Sequence, residues 1–181
     1  MTKLVAIVGM AGAGKSEVAK IFEQRGFKRI RFGDLTEEEL RARGLEPNEK
    51  NERYVREELR KKYGMAAYAK LNLPKIESSL ESANVVVDGL YSWEEYLMLK
   101  EHYKERFKVV AVYASPATRY ARLAHRPLRP LSYEEAQERD KSEIENSNKG
   151  GPIALADCTI INESSLIELR RVTEQVIAAL Q

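Results

Sequence analysis

Residues 3–16 read KLVAIVGMAGAGKS. The apolar run at 3–8 suits a parallel strand buried on both faces. Gly9, Gly14, Lys15 and Ser16 fit the pattern G-x-x-x-x-G-K-[ST], a loop that cradles phosphate. KSEVAKIFEQRG (15–26) continues at helical spacing, with Val18, Ala19, Ile21 and Phe22 on one face and Gly26 as the stop. Strand, loop and helix thus follow one another in the order a phosphate-binding loop requires. Gly12 and Gly14 permit backbone angles that other residues resist. The loop N–H groups and the helix N-terminus then face phosphate oxygens. Gly9, Ala11, Gly12, Ala13, Gly14, Lys15, Ser16 and Glu17 form the expected nucleotide-binding set. Lys15 is placed to bridge the β- and γ-phosphates and Ser16 to hold Mg²⁺.

The rest of the chain repeats the alternation of strand and helix. FKRIRF (27–32) alternates as a second strand, ended by Gly33 and Asp34. Helix formers fill 36–82. Thr36 and Glu39 there suit a capping box, and further helices are expected over 51–64 and 66–82. NVVVDG (84–89) is a third strand and FKVVAVYAS (107–115) a fourth, with a helix at 92–103 between them. Pro116 suits the first turn of a helix at 116–124. Residues 125–152 are charged, carry three prolines and a Gly-Gly pair, and read as a mobile segment. CTIIN (158–162) is a fifth strand, and 165–180 closes with an amphipathic helix. The pattern predicts an α/β domain with a parallel sheet, without internal repeat or second domain.

Bulk composition excludes several classes. The 181 residues suit one core. Thirty Lys and Arg against 28 Asp and Glu argue against nucleic-acid binding driven by bulk charge. No run is long enough to span a membrane. The single cysteine, Cys158, excludes an intrachain disulfide and fits a reducing cytoplasm. A monomer or small homo-oligomer is expected.

Two carboxylates end strands where ligands bind in open parallel sheets. Asp88 ends the apolar run NVVVD and is the candidate metal carboxylate. Asp34 ends the second strand and is the only candidate there for a general base. The loop alone does not separate a kinase from a hydrolase or a switch. The segment 119–143 supplies Arg119, Arg122, Arg126, Arg129 and Arg139. As a set, just before the last strand, they favour a closing lid that neutralises the transferring phosphate and excludes water. The guanine-reading pattern NKxD of a switch protein is absent from the sequence.

The chain resembles the P-loop nucleotide kinases. GDL (33–35) and VVVDGLY (85–91) resemble strand ends of nucleoside monophosphate kinases and of the archaeal adenylate-kinase-related proteins. RYARLAHR (119–126), LSYEEAQERD (131–140) and ALADCTIINESSLIEL (154–169) resemble dephospho-CoA kinases. The resemblance implies a three-layer P-loop NTPase fold with a five-stranded parallel sheet in the order 2-3-1-4-5. It further implies a helical acceptor-binding region at 36–82, a lid at 119–152, ATP as donor and Mg²⁺ as cofactor. Lys15, Ser16 and Asp88 match the family motifs. Arg122 and Arg126 match the lid arginines, as does Arg139, and Asn162 falls near the adenine base. Asp34, Asp88, Gly89 and Tyr91, with Arg60 from the helical middle, form the expected acceptor side. Where monophosphate kinases often place arginines after GD and DG, this chain reads LTEE and LYS. Two acceptors therefore stay open, dephospho-CoA and a nucleoside monophosphate. A competing class is a P-loop ATPase acting as an assembly or regulatory factor.

Overall fold

The first strand, β1 (Leu4–Val8), is buried along its whole length, and the molecule is layered around it. The structure is a computed structural model and describes residues 2–127 and 130–180. β1 passes through the glycine loop into α1 (Lys15–Gln24), then β2 (Lys28–Arg31), α2 (Asp34–Ala42), α3 (Glu49–Tyr63) and α4 (Ala67–Leu80). β3 (Val85–Asp88), α5 (Trp93–Tyr103), β4 (Phe107–Tyr113) and α6 (Pro116–His125) follow. The chain ends with α7 (Tyr133–Glu145), α8 (Gly150–Ala154), β5 (Cys158–Ile161) and α9 (Leu166–Leu180).

All five strands are parallel, in the order β2-β3-β1-β4-β5. The register sets Ile7 of β1 beside Asp88 of β3 and Val110 of β4. Asp88 is thereby carried to the sheet edge from which the glycine loop emerges. Alternation along the strands divides the core. Leu4, Ala6, Val8, Val85, Val87, Val109 and Ala111 pack with residues of α2 to α5 on one face. Val5, Ile7, Val86, Val110, Val112 and Ile160 pack with α1 and α9 on the other. The result is the three-layer α/β/α arrangement expected from the sequence, in the expected strand order. Among the described residues no helix is long and apolar enough to cross a membrane.

Two expectations are corrected. Thr36 does not cap α2: the helix begins at Asp34, and Thr36 is buried inside it, 2.6 Å from the Tyr68 hydroxyl. Packing against α4 outweighed the local capping preference. The segment 125–152 is not loose throughout. Ser132 and Glu135 form a complete capping box that starts α7. Ala136 of that helix then packs on Ala11 and Leu123 in a small third cluster. Arg129 lies outside the described residues.

Candidate functional site

Gly9, Gly12 and Gly14 have φ of 144°, 79° and 102°, in the region L side chains rarely enter. Space is also lacking. A Cβ at Gly12 would come within 2.7 Å of the Arg119 carbonyl oxygen, and one at Gly14 would collide with the Asn162 amide. The loop is pinned from outside. Asn162, just past β5, donates through Nδ2 to the Ala13 carbonyl at 2.8 Å. Arg119 of α6 donates to the carbonyls of Ala11 and Ala114, each at 3.1 Å. Its guanidinium also meets the Asp140 carboxylate of α7 twice, at 2.8 and 2.5 Å. Arg119 is 4% exposed, so it is a clamp on the loop and not a solvated lid arginine. Asn162, which the resemblance places near the adenine base, has its side-chain donor on the loop backbone.

Lys15 starts α1 and donates Nζ to the Met10 carbonyl at 3.0 Å. Burial pulls its pKa down to about 7, and the charges of Lys149 and Arg139 add to that against the opposing pull of Glu143 and Asp88. Four side chains on three elements thus act on the charge of this amine: Asp88 at the end of β3, Arg139 and Glu143 on α7, and Lys149 in the turn before α8. Glu143 lies 2.7 Å from the Lys149 ammonium and 3.3 Å from Arg139 Nε. Burial works against the charged form of Glu143, yet Lys149, Lys15 and Arg139 outweigh it and hold the pKa at about 2. Asp88, 6% exposed, is ion-paired through Oδ2 with Arg29 of β2.

Of the acceptor-side candidates, Gly89 and Tyr91 meet at the end of β3. A Cβ built on Gly89 would lie 2.6 Å from the Tyr91 hydroxyl, and one on Gly33 3.4 Å from it, so the ring spans the ends of β2 and β3. Tyr68 meets the ring edge-on at 5.7 Å and the Lys149 ammonium stands 5.6 Å from its centre. Burial, then the charge of Asp88, pushes the Tyr91 hydroxyl pKa upward and keeps it a neutral donor. Asp34 opens α2 and pairs with Arg31 at 3.1 Å. Arg60 lies 6.0 Å from the Tyr68 ring centre, with its Nε buried and without a hydrogen-bond partner. Arg122 donates to the Asn162 carbonyl at 2.9 Å, and its buried Nη1 has no partner. Arg126 caps α6 and is partly buried. The Glu17 side chain is exposed and paired with Lys20 at 2.7 Å.

Sequence reasoning did not single out Lys149, Glu143, Asp140, Arg29 or Glu95. Lys149 stands in NKGG, which reads as a loop. The usable clue is Asn148, a residue tolerant of left-handed angles, here at φ 50°. Glu95 completes a capping box with Ser92 and is wholly buried. Ser16 in the first turn of α1 and Asp88 at the end of β3 offer a hydroxyl and a carboxylate oxygen, the hard donors that suit Mg²⁺ held by one or two protein groups plus phosphate. Among the described residues there is no cluster of three or more His, Cys, Asp or Glu that would make a self-contained metal cage.

A five-stranded parallel sheet in this order, a glycine loop at the tip of its central strand and a lysine at the following helix define a P-loop domain. The family model described as an AAA domain (AAA_18) matches residues 5–150, and the chain belongs to the UPF0200 family. UPF0200 protein TK1334 of Thermococcus kodakarensis is 35% identical over 185 residues, covering 98% of this chain and all of the relative. UPF0200 protein PF1294 of Pyrococcus furiosus is 37% identical over 181 residues, covering 97% and 96%. Solved structures of the same fold include shikimate kinase of Acinetobacter baumannii, with a TM-score of 0.61, 18% identity and coverage of 99% and 93%. A gluconokinase of Sinorhizobium meliloti gives a TM-score of 0.61, 18% identity and coverage of 98% and 93%. Dephospho-CoA kinase of Campylobacter jejuni gives 0.58 and 17%, covering 99% and 98%. The fold is thus one shared with small-molecule kinases.

Proposed function

We propose that this protein is an ATP- and Mg²⁺-dependent kinase that transfers the γ-phosphoryl group to a small nucleotide-type acceptor. One observation carries the reading. Asp88 and Lys149, both buried, act with Arg139 and Glu143 on the charge of Lys15 from the glycine loop, and cations outnumber carboxylates in this set once Arg29 has paired with Asp88. Such an excess suits phosphate, whose charge is stabilised by preorganised donors in a site with little water. The fold supports the same reading, because the kinases above share it.

Ser16 and Asp88 would hold Mg²⁺, which neutralises charge on the donor phosphates. The acceptor oxygen bonds to the γ-phosphorus, the bond from that phosphorus to the β–γ bridging oxygen breaks, and ADP leaves. Where the acceptor is a hydroxyl, as in dephospho-CoA, Asp34 takes its proton. Where it is a monophosphate, no base is needed and Arg60 supplies the acceptor-side charge. Arg122, Arg126 and Arg139, from the 119–152 segment, would supply positive charge to the transferring group. Asn162 holds the loop open to the nucleotide.

The test is a screen of γ-labelled ATP against the common nucleoside monophosphates and dephospho-CoA. Saturable transfer of label to one of them is the expected result. ATP loss to water alone, whatever is added, sinks the kinase reading and favours an ATP-driven regulatory factor.

A further inference from the structure

Lys149 is 2% exposed, unusual burial for a lysine. The chain goes to some length to put it there. Asn148 adopts φ 50°, the Lys149 amide donates back to the Glu143 carbonyl at 3.2 Å, and Trp93 donates to the Ser147 carbonyl at 3.4 Å. Gly151 lets the Trp93 ring approach: a Cβ there would lie 2.7 Å from it. The turn is thereby fastened to the start of α5, two residues beyond Tyr91. The ammonium it delivers lies between the Glu143 carboxylate at 2.7 Å and the Tyr91 ring at 5.6 Å.

An apolar pair would fill this space at lower desolvation cost, so a buried ion pair is weak support for a purely structural role. Its position points elsewhere. Among the neighbouring charges, Lys149 presses hardest on Lys15. Lys15 belongs to the donor side, on the glycine loop, whereas Tyr91 belongs to the acceptor side, beyond β3. Lys149 faces both. Glu143 in turn faces Lys149, Lys15 and Arg139, and so occupies the electrostatic place of an anion among three cations.

Resting on the kinase reading, we propose that Lys149 is a second phosphate-binding catalytic lysine, contacting the phosphoryl group in transit, and that Glu143 is its stand-in anion in the nucleotide-free protein. Lys15 holds the group as it leaves the β-phosphate. Lys149 holds its non-bridging oxygens as the acceptor bond forms, and no proton moves to or from either lysine.

The probe is Mg·ADP with and without aluminium fluoride, a mimic of the transferring group that needs no known acceptor. The wild type is expected to bind ADP more tightly when fluoride is present. Lys149→Met is expected to keep ADP affinity within ~3-fold yet lose most of the fluoride-dependent gain, on the order of 10²-fold for a lost donor to a developing charge. The double variant Lys149→Met with Glu143→Gln removes both charges without stranding either, and is expected to fold and show the same selective loss. Retention of the full gain in either folded variant overturns the assignment and leaves the kinase reading standing. Unfolding of both variants assigns Lys149 to the scaffold and overturns it too. Failure of the wild type to bind ADP or ATP overturns both readings together.

Discussion

Replacing Glu95 with glutamine exchanges one carboxyl oxygen for an amide nitrogen at the start of α5. The carboxyl is wholly buried. Its Oε2 accepts from the backbone N–H groups of Tyr91 at 2.7 Å and Ser92 at 3.2 Å, while Oε1 has no hydrogen-bond partner. Burial raises the pKa from 4.5 to about 7, against the opposing pull of those amides and of Arg60. Folded Glu95 therefore keeps its proton where the unfolded chain has lost it. Between these two values the folded state binds more protons, and stability falls as pH rises through the window. Each tenfold change in proton affinity is about 1.4 kcal/mol, so ionised Glu95 costs about 3 kcal/mol above pH 7. Glutamine carries no such cost. It keeps the two accepted hydrogen bonds but sets an amide where Oε1 lacks a partner, a penalty of about 1–3 kcal/mol that does not vary with pH. The difference in stability between Glu95→Gln and wild type thus moves toward the variant by about 2 kcal/mol or more between pH 5 and pH 8. For a chain of this length that is roughly 4–8 °C in Tm. Urea unfolding of both proteins at both pH values measures it. A difference that is the same at both pH values, to within about 0.5 kcal/mol, refutes the reasoning.

Three other outcomes follow from the same geometry. Lys15→Ala is expected to lower phosphoryl transfer by at least ~10²-fold in a protein whose urea unfolding stays cooperative; near-wild-type transfer removes the loop from the mechanism. Asp140→Asn strands the buried Arg119 charge and should cost about 3–5 kcal/mol. It should also weaken binding of a fluorescent ATP analogue, because Arg119 holds the Ala11 carbonyl; unchanged stability shows that the clamp is dispensable. Arg126→Ala should reduce turnover more than ATP affinity, since a lid contact grows toward the transition state; equal losses in both mark it as a ground-state ligand.

By itself the sequence determined the parts governed by local rules. The apolar and alternating strand runs, the helix periods between them and the glycine loop each depend on neighbours within a few residues. Their alternation leaves a parallel sheet as the layered solution. Asp88 was legible because a carboxylate ending an apolar strand stands at the ligand edge of such a sheet. Tyr91 was legible because it lies three residues further on. What only the tertiary structure decided depends on contacts across long stretches of chain. Arg119 reads as a surface charge until Asp140, 21 residues away, folds back on it. That Asn162 holds the glycine loop is visible only once β5 sets it against Ala13, 149 residues distant. Lys149 reads as a loop lysine because hydropathy places lysine in water. Its burial depends on Glu143 arriving from α7, Trp93 from the start of α5 and Tyr91 from the turn before it, and no local pattern records a charge whose partners come from elsewhere in the chain.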